Sequence, residues 1–364
     1  MDINSNSKGT TNVIRKMWCI GWALLLLAGC KGEDAKKAPV EESKAEATAE
    51  APASPGELVV YVGRNLSLVK PLIEKFEKQT GIEVKTRDGK SPELAALLVE
   101  EGDKTAADVF WAQDVDSLAL VASKGLFAKV PEGAKFKTSK LFTGRSPYWV
   151  PLSGRARLLA YNPKKIAAED LPKSILDLTD PKYAGQVGWA PSNASFQTFV
   201  TALRAAKGEE AAEAWLRGLK DNGAKTYAKN TPIIKALGAE EISMGLPNHY
   251  YLLRQKAVDA KFPVEQTFFA DGDIGNLINV SGAGITKGAA NRKNAEAFLT
   301  FLGGIEAQTY FADETFEYPV RPDVDGNKRL EAPIALPRIA PEIDLDKLGD
   351  REGTLALLQK VGLL

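Results

Sequence analysis

The chain has 364 residues, with 47 Lys or Arg against 47 Asp or Glu; this formal neutrality gives no reason to propose nucleic acid as a partner. Its two cysteines, Cys19 and Cys30, both precede the folding part of the chain, which excludes disulfides and thiolate metal sites from that part. With no thiol there, no Gly-x-Ser-x-Gly elbow and the single histidine His249, the sequence offers no nucleophile–base pair, so no enzyme such as a hydrolase is expected.

At the N-terminus, Arg15 and Lys16 precede an apolar run from Met17 to Ala28 that is too short for a stable membrane span and has the order of a signal peptide. The run ends in Leu27-Ala28-Gly29-Cys30, which is similar to a bacterial lipobox. Residues 1–29 are therefore expected to be removed, leaving Cys30 as the lipid-modified N-terminus of a protein held to an envelope membrane. Residues 30–56 are rich in Ala, Glu, Lys, Pro and Ser and contain no aromatic side chain, so they cannot offset their ordering entropy by burial and read as a flexible tether. No later segment has an apolar run long enough for a membrane span. Residues 57–364 exceed one ordinary domain and fit two.

Leu58 to Val62 reads as a buried strand closed by Gly63, and Val69, Leu72, Ile73 and Phe76 then recur at helical spacing until Thr80-Gly81. Ile82 to Thr86 returns as a strand, and Ser91-Pro92 opens a helix with Leu94, Leu97 and Leu98 on its apolar face. Asp108 to Trp111 is a third strand, followed by a helix from Val115 to Ser123. After Tyr148 the alternation resumes. Strands are expected at Trp149 to Leu152, Leu158 to Tyr161 and Val187 to Ala190, and helices at Phe196 to Ala206 and Glu210 to Leu219. Glu241 to Pro247 reads as a short strand and Leu252 to Val258 as a short helix with Asn248 as its N-cap, which puts Tyr250 and Tyr251 in the first turn. Ala295 to Leu302 and Thr354 to Val361 complete the set. Strand alternating with helix predicts an α/β fold with open, mostly parallel sheets covered on both faces.

Such sheets bind ligands at the carboxyl ends of their strands, where helix starts face a crevice. Five loops have that position: Gly63-Arg64-Asn65, Trp111-Ala112-Gln113, Ser153-Gly154-Arg155, Ser192-Asn193-Ala194-Ser195, and Asn248 to Tyr251. Taken singly they read plainly: Gly63 as a turn glycine, Gln113 as a solvated loop residue, Arg155 and Arg157 as surface charges. Ser192 to Ser195 is the best anion candidate, since its amides and hydroxyls suit a phosphate- or carbonate-sized group. Adjacent phenols at a helix start converge as strand neighbours cannot, because they diverge by only about 100°.

The loops and their flanks, among them Phe76 to Val84, Ala107 to Trp111, Leu152 to Arg157, Tyr227 to Asn230, Asn248 to Tyr251, Val280 to Ala283 and Glu317 to Val320, resemble the periplasmic solute-binding proteins of ferric-iron ABC transporters. The resemblance covers nearly all of the folded part. It implies the two-lobe periplasmic-binding-protein fold of type II, with lobe 1 in residues 57–150 and 280–330, lobe 2 in 151–279 and 331–364, and a hinge between them. It implies Fe(III) held by Tyr250 and Tyr251, and a synergistic anion (carbonate, phosphate or citrate) held by Ser192, Asn193, Ala194 and Ser195 with Asn230, Asn248 and Arg155. Phenolate suits a hard trivalent ion, and binding must expel the phenolic protons. Arg64, Asn65 and Gln113 fall in the first-lobe cleft. There the chain departs from the pattern, with Asn65 where the family has a histidine and Gln113 where it has a glutamate; Asp114 is expected to be a helix N-cap and His249 an exposed loop residue. Tyr148, Tyr161 and Tyr227 each remain open as a third phenolate. The implied partner is an inner-membrane ABC permease, and a monomer facing the periplasm or exterior is expected. The alternative is the same fold binding a small anionic solute, phosphorylated or carboxylated, without metal.

Overall fold

A computed structural model describes residues 56–142, 146–330, 335–344 and 348–364, and all of them fall in one compact unit. The lipobox, Cys30 and the tether lie outside the described residues. Strand β1 (Glu57–Val62) leads to helix α1 (Leu66–Thr80), β2 (Glu83–Asp88) to α2 (Ser91–Glu101), and β3 (Val109–Ala112) to α3 (Val115–Ser123). Strands β4 (Val150–Ala156) and β5 (Leu159–Tyr161) follow nearly end to end. Next come β6 (Val187–Trp189), α4 (Ala194–Lys207), α5 (Glu209–Asp221), β7 (Lys225–Thr226), α6 (Asn230–Gly238), β8 (Met244–Gly245), α7 (His249–Val258) and β9 (Glu265–Thr267). The chain closes through β10 (Ile278–Ile285), α8 (Arg292–Leu302), α9 (Ile305–Asp313), β11 (Tyr318–Pro319), α10 (Leu336–Ile339) and α11 (Arg351–Val361).

Two sheets result, in the orders β11-β4-β10-β3-β1-β2 and β7-β6-β8-β5-β9. Pairing is parallel through β2-β1-β3 and through β7-β6-β8, where a helix carries the chain back between strands. It is antiparallel at β10 and β4, and on both sides of β5, so the sheets are mixed rather than mostly parallel as expected, because the strands that lead between the sheets run against their neighbours. The first sheet keeps β4 as far as Ala156, so the chain passes to the second sheet at 157–158 and returns between Thr267 and Ile278. The sequence reading places these passages near residues 150 and 280. Because β4 and β10 are paired, with Asn279 opposite Arg155 and Ile278 opposite Ala156, both passages run side by side.

Local chemistry accounts for the elements that frame the crevice. In α1, Asn65 Oδ1 accepts from the Ser67 amide at 3.2 Å, and Gly81 ends the helix in the left-handed conformation at φ 72°. Val69, Leu72, Ile73 and Phe76 form its buried stripe, and the Phe76 ring meets Phe298 edge-on at 5.0 Å. Truncation of Phe76 to Ala would cost about 3–5 kcal/mol. A second aromatic nest (Trp189, Phe196, Phe199 and Trp215) fixes α4 and α5 to the second sheet. Gly63 is not a turn glycine. A Cβ there would stand 2.2 Å from Ser91 Oγ, which ties the Gly63 carbonyl to the Gln113 amide.

Candidate functional site: a phenol pair at converging helix starts

Strands β7, β6 and β8 are parallel neighbours, and each is followed by a helix: α6 starts at Asn230, α4 at Ala194 and α7 at His249. Topology alone therefore brings Asn230, Asn193 with Ser195, and Asn248 with the tyrosines to one end of the second sheet. An isolated bridge between Arg157 and Asn248 fastens the first passage strand to the same place.

Tyr250 is buried, Tyr251 is partly buried, and their rings stack with centroids 4.5 Å apart. Asn248 occupies the N-cap position of α7 but makes no side-chain cap; its amide donates instead to the Tyr250 hydroxyl at 3.5 Å. Burial pushes the Tyr250 phenol up. The Arg155 charge, assisted by hydrogen bonds from Tyr251 and Asn248, outweighs burial, so its pKa lies below the ordinary phenol value. Tyr251 goes the other way, raised by burial and then by the charge and hydrogen bond of Tyr250. Of the two phenols, Tyr250 is thus the more readily ionised.

Two guanidinium groups stand behind the pair. Arg155 is 1% exposed; its Nη2 donates to the Gln113 carbonyl while Nε and Nη1 have no hydrogen-bond partner among the described residues. Arg157 is also buried, donating to the Leu246 carbonyl at 2.6 Å and to Ser195 Oγ at 3.3 Å, and it lies over the Phe196 and Phe199 rings at 5.4 Å. Burial pulls its pKa down to about 9. The surface-charge reading of Arg155 and Arg157 is corrected on both counts. Their i, i+2 spacing in the strand that leaves the first sheet puts them on one face, and that face is inward.

The predicted anion loop is built around its own cap. Asn193 Oδ1 accepts from the Ser195 amide at 3.0 Å and from Ser195 Oγ at 2.7 Å, so that amide is already engaged. Ser192 is exposed, and Asn193 and Ala194 are half-buried. Asn230 is buried beside the Tyr251 phenol, and among the described residues neither polar atom of its amide completes a hydrogen bond of good geometry. An amide so placed is a ready partner for an incoming polar ligand.

In the first-sheet loops, Asn65 is exposed and spent on capping α1, and Asp114 caps α3, with Oδ1 accepting from the Ser117 amide at 3.0 Å. Arg64 is not a free cation. It forms a buried ion pair with Glu317 at 2.7 Å and reaches Ser153 Oγ at 3.3 Å. Sequence reasoning missed Glu317 and Arg157 as parts of this site, although the Gly-Arg-x-Arg spacing was a usable signal.

His249 is fully buried, which corrects the expected exposed loop residue. Its Nδ1 accepts from the Ala156 amide at 3.0 Å, and its Nε2 lies 2.7 Å from the Phe316 carbonyl. A carbonyl can only accept, so the hydrogen is assigned to Nε2. Burial lowers its pKa to about 4 and keeps the ring neutral. Tyr161 and Tyr227 are both raised by burial, with Glu265 and Glu241 as their respective charged neighbours. Among the described residues no three His, Cys, Asp or Glu side chains cluster as metal ligands, so the hard donors here are phenol and amide oxygens.

Residues 71–338 match the family described as bacterial extracellular solute-binding protein. The major ferric iron-binding protein of Neisseria meningitidis is 34% identical over 312 residues, 84% of this chain and 93% of that protein. The Fe(3+)-binding periplasmic protein of Serratia marcescens is 31% identical over 84% of this chain and 90% of its own length. Iron-bound HitA from Pseudomonas aeruginosa has a TM-score of 0.79 at 33% identity, covering 85% of this chain and 100% of that one. A Trichodesmium protein (IdiA, FutA) in complex with iron and citrate ligands has a TM-score of 0.73 at 27% identity, covering 85% of this chain and 100% of that one.

Proposed function

This chain belongs to the bacterial extracellular solute-binding protein family, and from that premise we propose that it captures Fe(III) with a small anion between its two sheets and hands it to a membrane ABC permease. One observation carries the reading: a buried, stacked phenol pair whose inner member is drawn toward ionisation by a guanidinium with unused donors. Tyr250 and Tyr251 supply the phenolate oxygens, and the ion replaces the protons that leave. Glu317 is taken up by Arg64, so the buried Arg155 and Arg157 leave charge for an anion to balance, and Asn230, Asn248 and the Ser192 to Ser195 loop line its place. The Trichodesmium protein solved with iron and citrate supports a carboxylate anion in that role. The two sheets serve as lobes that shut over the ligand, bending at the paired passages. Binding without turnover, a lipid anchor at Cys30, a monomeric state and an envelope location complete the proposal.

Purified protein titrated with ferric citrate is expected to develop the visible absorption of ferric phenolate. The double substitution Tyr250→Phe with Tyr251→Phe abolishes it, with bound iron falling to background in metal analysis and Tm almost unchanged. Full iron stoichiometry in the double variant overturns the assignment. A second reading, an anionic solute held without metal, is favoured by the two unpaired arginines. Calorimetric titration with phosphate or citrate alone decides it: heat at micromolar concentration with no colour on added iron would favour the metal-free reading.

A further inference from the structure

We infer that His249 is a positioning residue for the phenol pair, clamping the first turn of α7 to the strap formed by residues 315–318. The inference rests on the iron reading in its spectroscopic consequence alone.

His249 is the first residue of α7 and touches both sides of a junction. It takes the Ala156 amide at the end of β4 on Nδ1 and gives Nε2–H to the Phe316 carbonyl. Both partners are backbone, so neither can turn away to compensate if the ring is lost. The ring lies at 4.9 Å and 37° on Tyr318, and meets Tyr250 edge-on at 5.5 Å. One turn along, Arg254 donates to the Thr315 carbonyl at 3.1 Å and stands over the Tyr250 ring at 4.6 Å. The helix that carries the doublet thus grips two consecutive carbonyls of one strap.

That strap is itself fixed and strained. Phe316 has φ of 55°, a left-handed conformation costly for an aromatic residue, and it persists where surroundings over-determine it. Glu317 next to it holds Arg64 and accepts from Ser153 Oγ. The strap also adds strand β11 beside β4. A drift of the Tyr250 ring by about 1 Å would disturb its stacking on Tyr251 and its contact with the Asn248 amide. His249 opposes that drift through its two backbone hydrogen bonds.

Three substitutions separate the roles. His249→Leu keeps bulk and loses both hydrogen bonds; His249→Gln retains a nitrogen near the Nε2 position; His249→Asn retains an acceptor near Nδ1. With ferric citrate, the leucine variant is expected to shift the visible band and to lose affinity by about 10–100-fold, the range typical of residues that orient ligands. The glutamine variant recovers most of both, and the asparagine variant falls between. Hydrogen exchange of α7 amides in iron-free protein gives a readout independent of metal: exchange is faster in the leucine variant and near wild type in the glutamine variant. If the leucine variant does not fold, the glutamine–asparagine contrast carries the test. Wild-type band, affinity and exchange in the leucine or asparagine variant overturn the inference. A wild-type protein that takes no ferric ion, with α7 exchange still sensitive to His249, removes the iron reading and leaves the clamp standing.

Discussion

Tyr250 and Tyr251 differ by one position in sequence and by the direction in which their surroundings push them. On the proposed assignment the metal displaces protons from both, and iron affinity is expected to fall by about 10–100-fold per pH unit of acidification, one or two protons per ion, measured as apparent Kd by competition with citrate. His249 supplies a separate dependence. Its pKa is depressed to about 4 in the folded chain, below the ordinary 6.5, so the unfolded chain binds more protons between these values. Its contribution is fully present above pH 6.5 and lost as pH falls through 4, on the order of 3 kcal/mol across the window. Urea unfolding of wild type and His249→Gln from pH 7 to 4 should show a shallower loss in the variant. The phenol doublet was legible in the sequence because a strand-to-helix signal preceded it. The burial of His249, Arg155 and Arg157 was not, since the spacing of the arginines puts them on one face without saying which way it points, and the partners of all three lie up to 93 positions away.

The helices that build the site follow their strands at short range, and this is where the sequence was most readable. Asn65, Asp114 and Asn193 cap α1, α3 and α4 as short polar residues before an apolar stripe should. Asn193→Ala is expected to cost about 1 kcal/mol of stability and to free the Ser195 amide and hydroxyl, a loss measurable by thermal melting. Strand β10 could not be read. Its segment Ile278–Ile285 carries Asn, Ser and two glycines where a strand usually carries branched residues. The structure explains the composition: a Cβ on Gly282 would lie 2.6 Å from the Val150 carbonyl, so neighbouring backbones approach too closely for any side chain. Strands β7, β8 and β11 have two residues each, too few for an alternation to register.

At the scale of the whole described unit, helices α2 and α3 from the first-sheet side meet α11 from the other around a cavity of about 280 Å³. Asp116 lines it, buried and with neither carboxylate oxygen hydrogen-bonded. Burial, then the Asp114 charge, raise its pKa well above the usual range, with Thr198 and Arg351 opposing. A raised folded pKa means that stability present below the unfolded value of 3.8 is lost as pH climbs toward the folded one. Asp116→Asn should therefore stabilise the protein at pH 7 by about 1–3 kcal/mol, and less at pH 4, in paired denaturation curves. The two-sheet architecture was legible from alternation and length, but a contact like this one depends on how distant helices meet, which no local pattern encodes.

The doubled passage between the sheets has a further consequence. Chain continuity along β10's approach is redundant for linking the two sheets, because the β4–β5 passage beside it makes the same connection. The exposed turn at Asp271-Gly272 is then a place where the backbone can be opened. Such an opened chain would be tethered by a single lane, with its neighbour still laced to it, and should retain its cargo grip while swinging more freely.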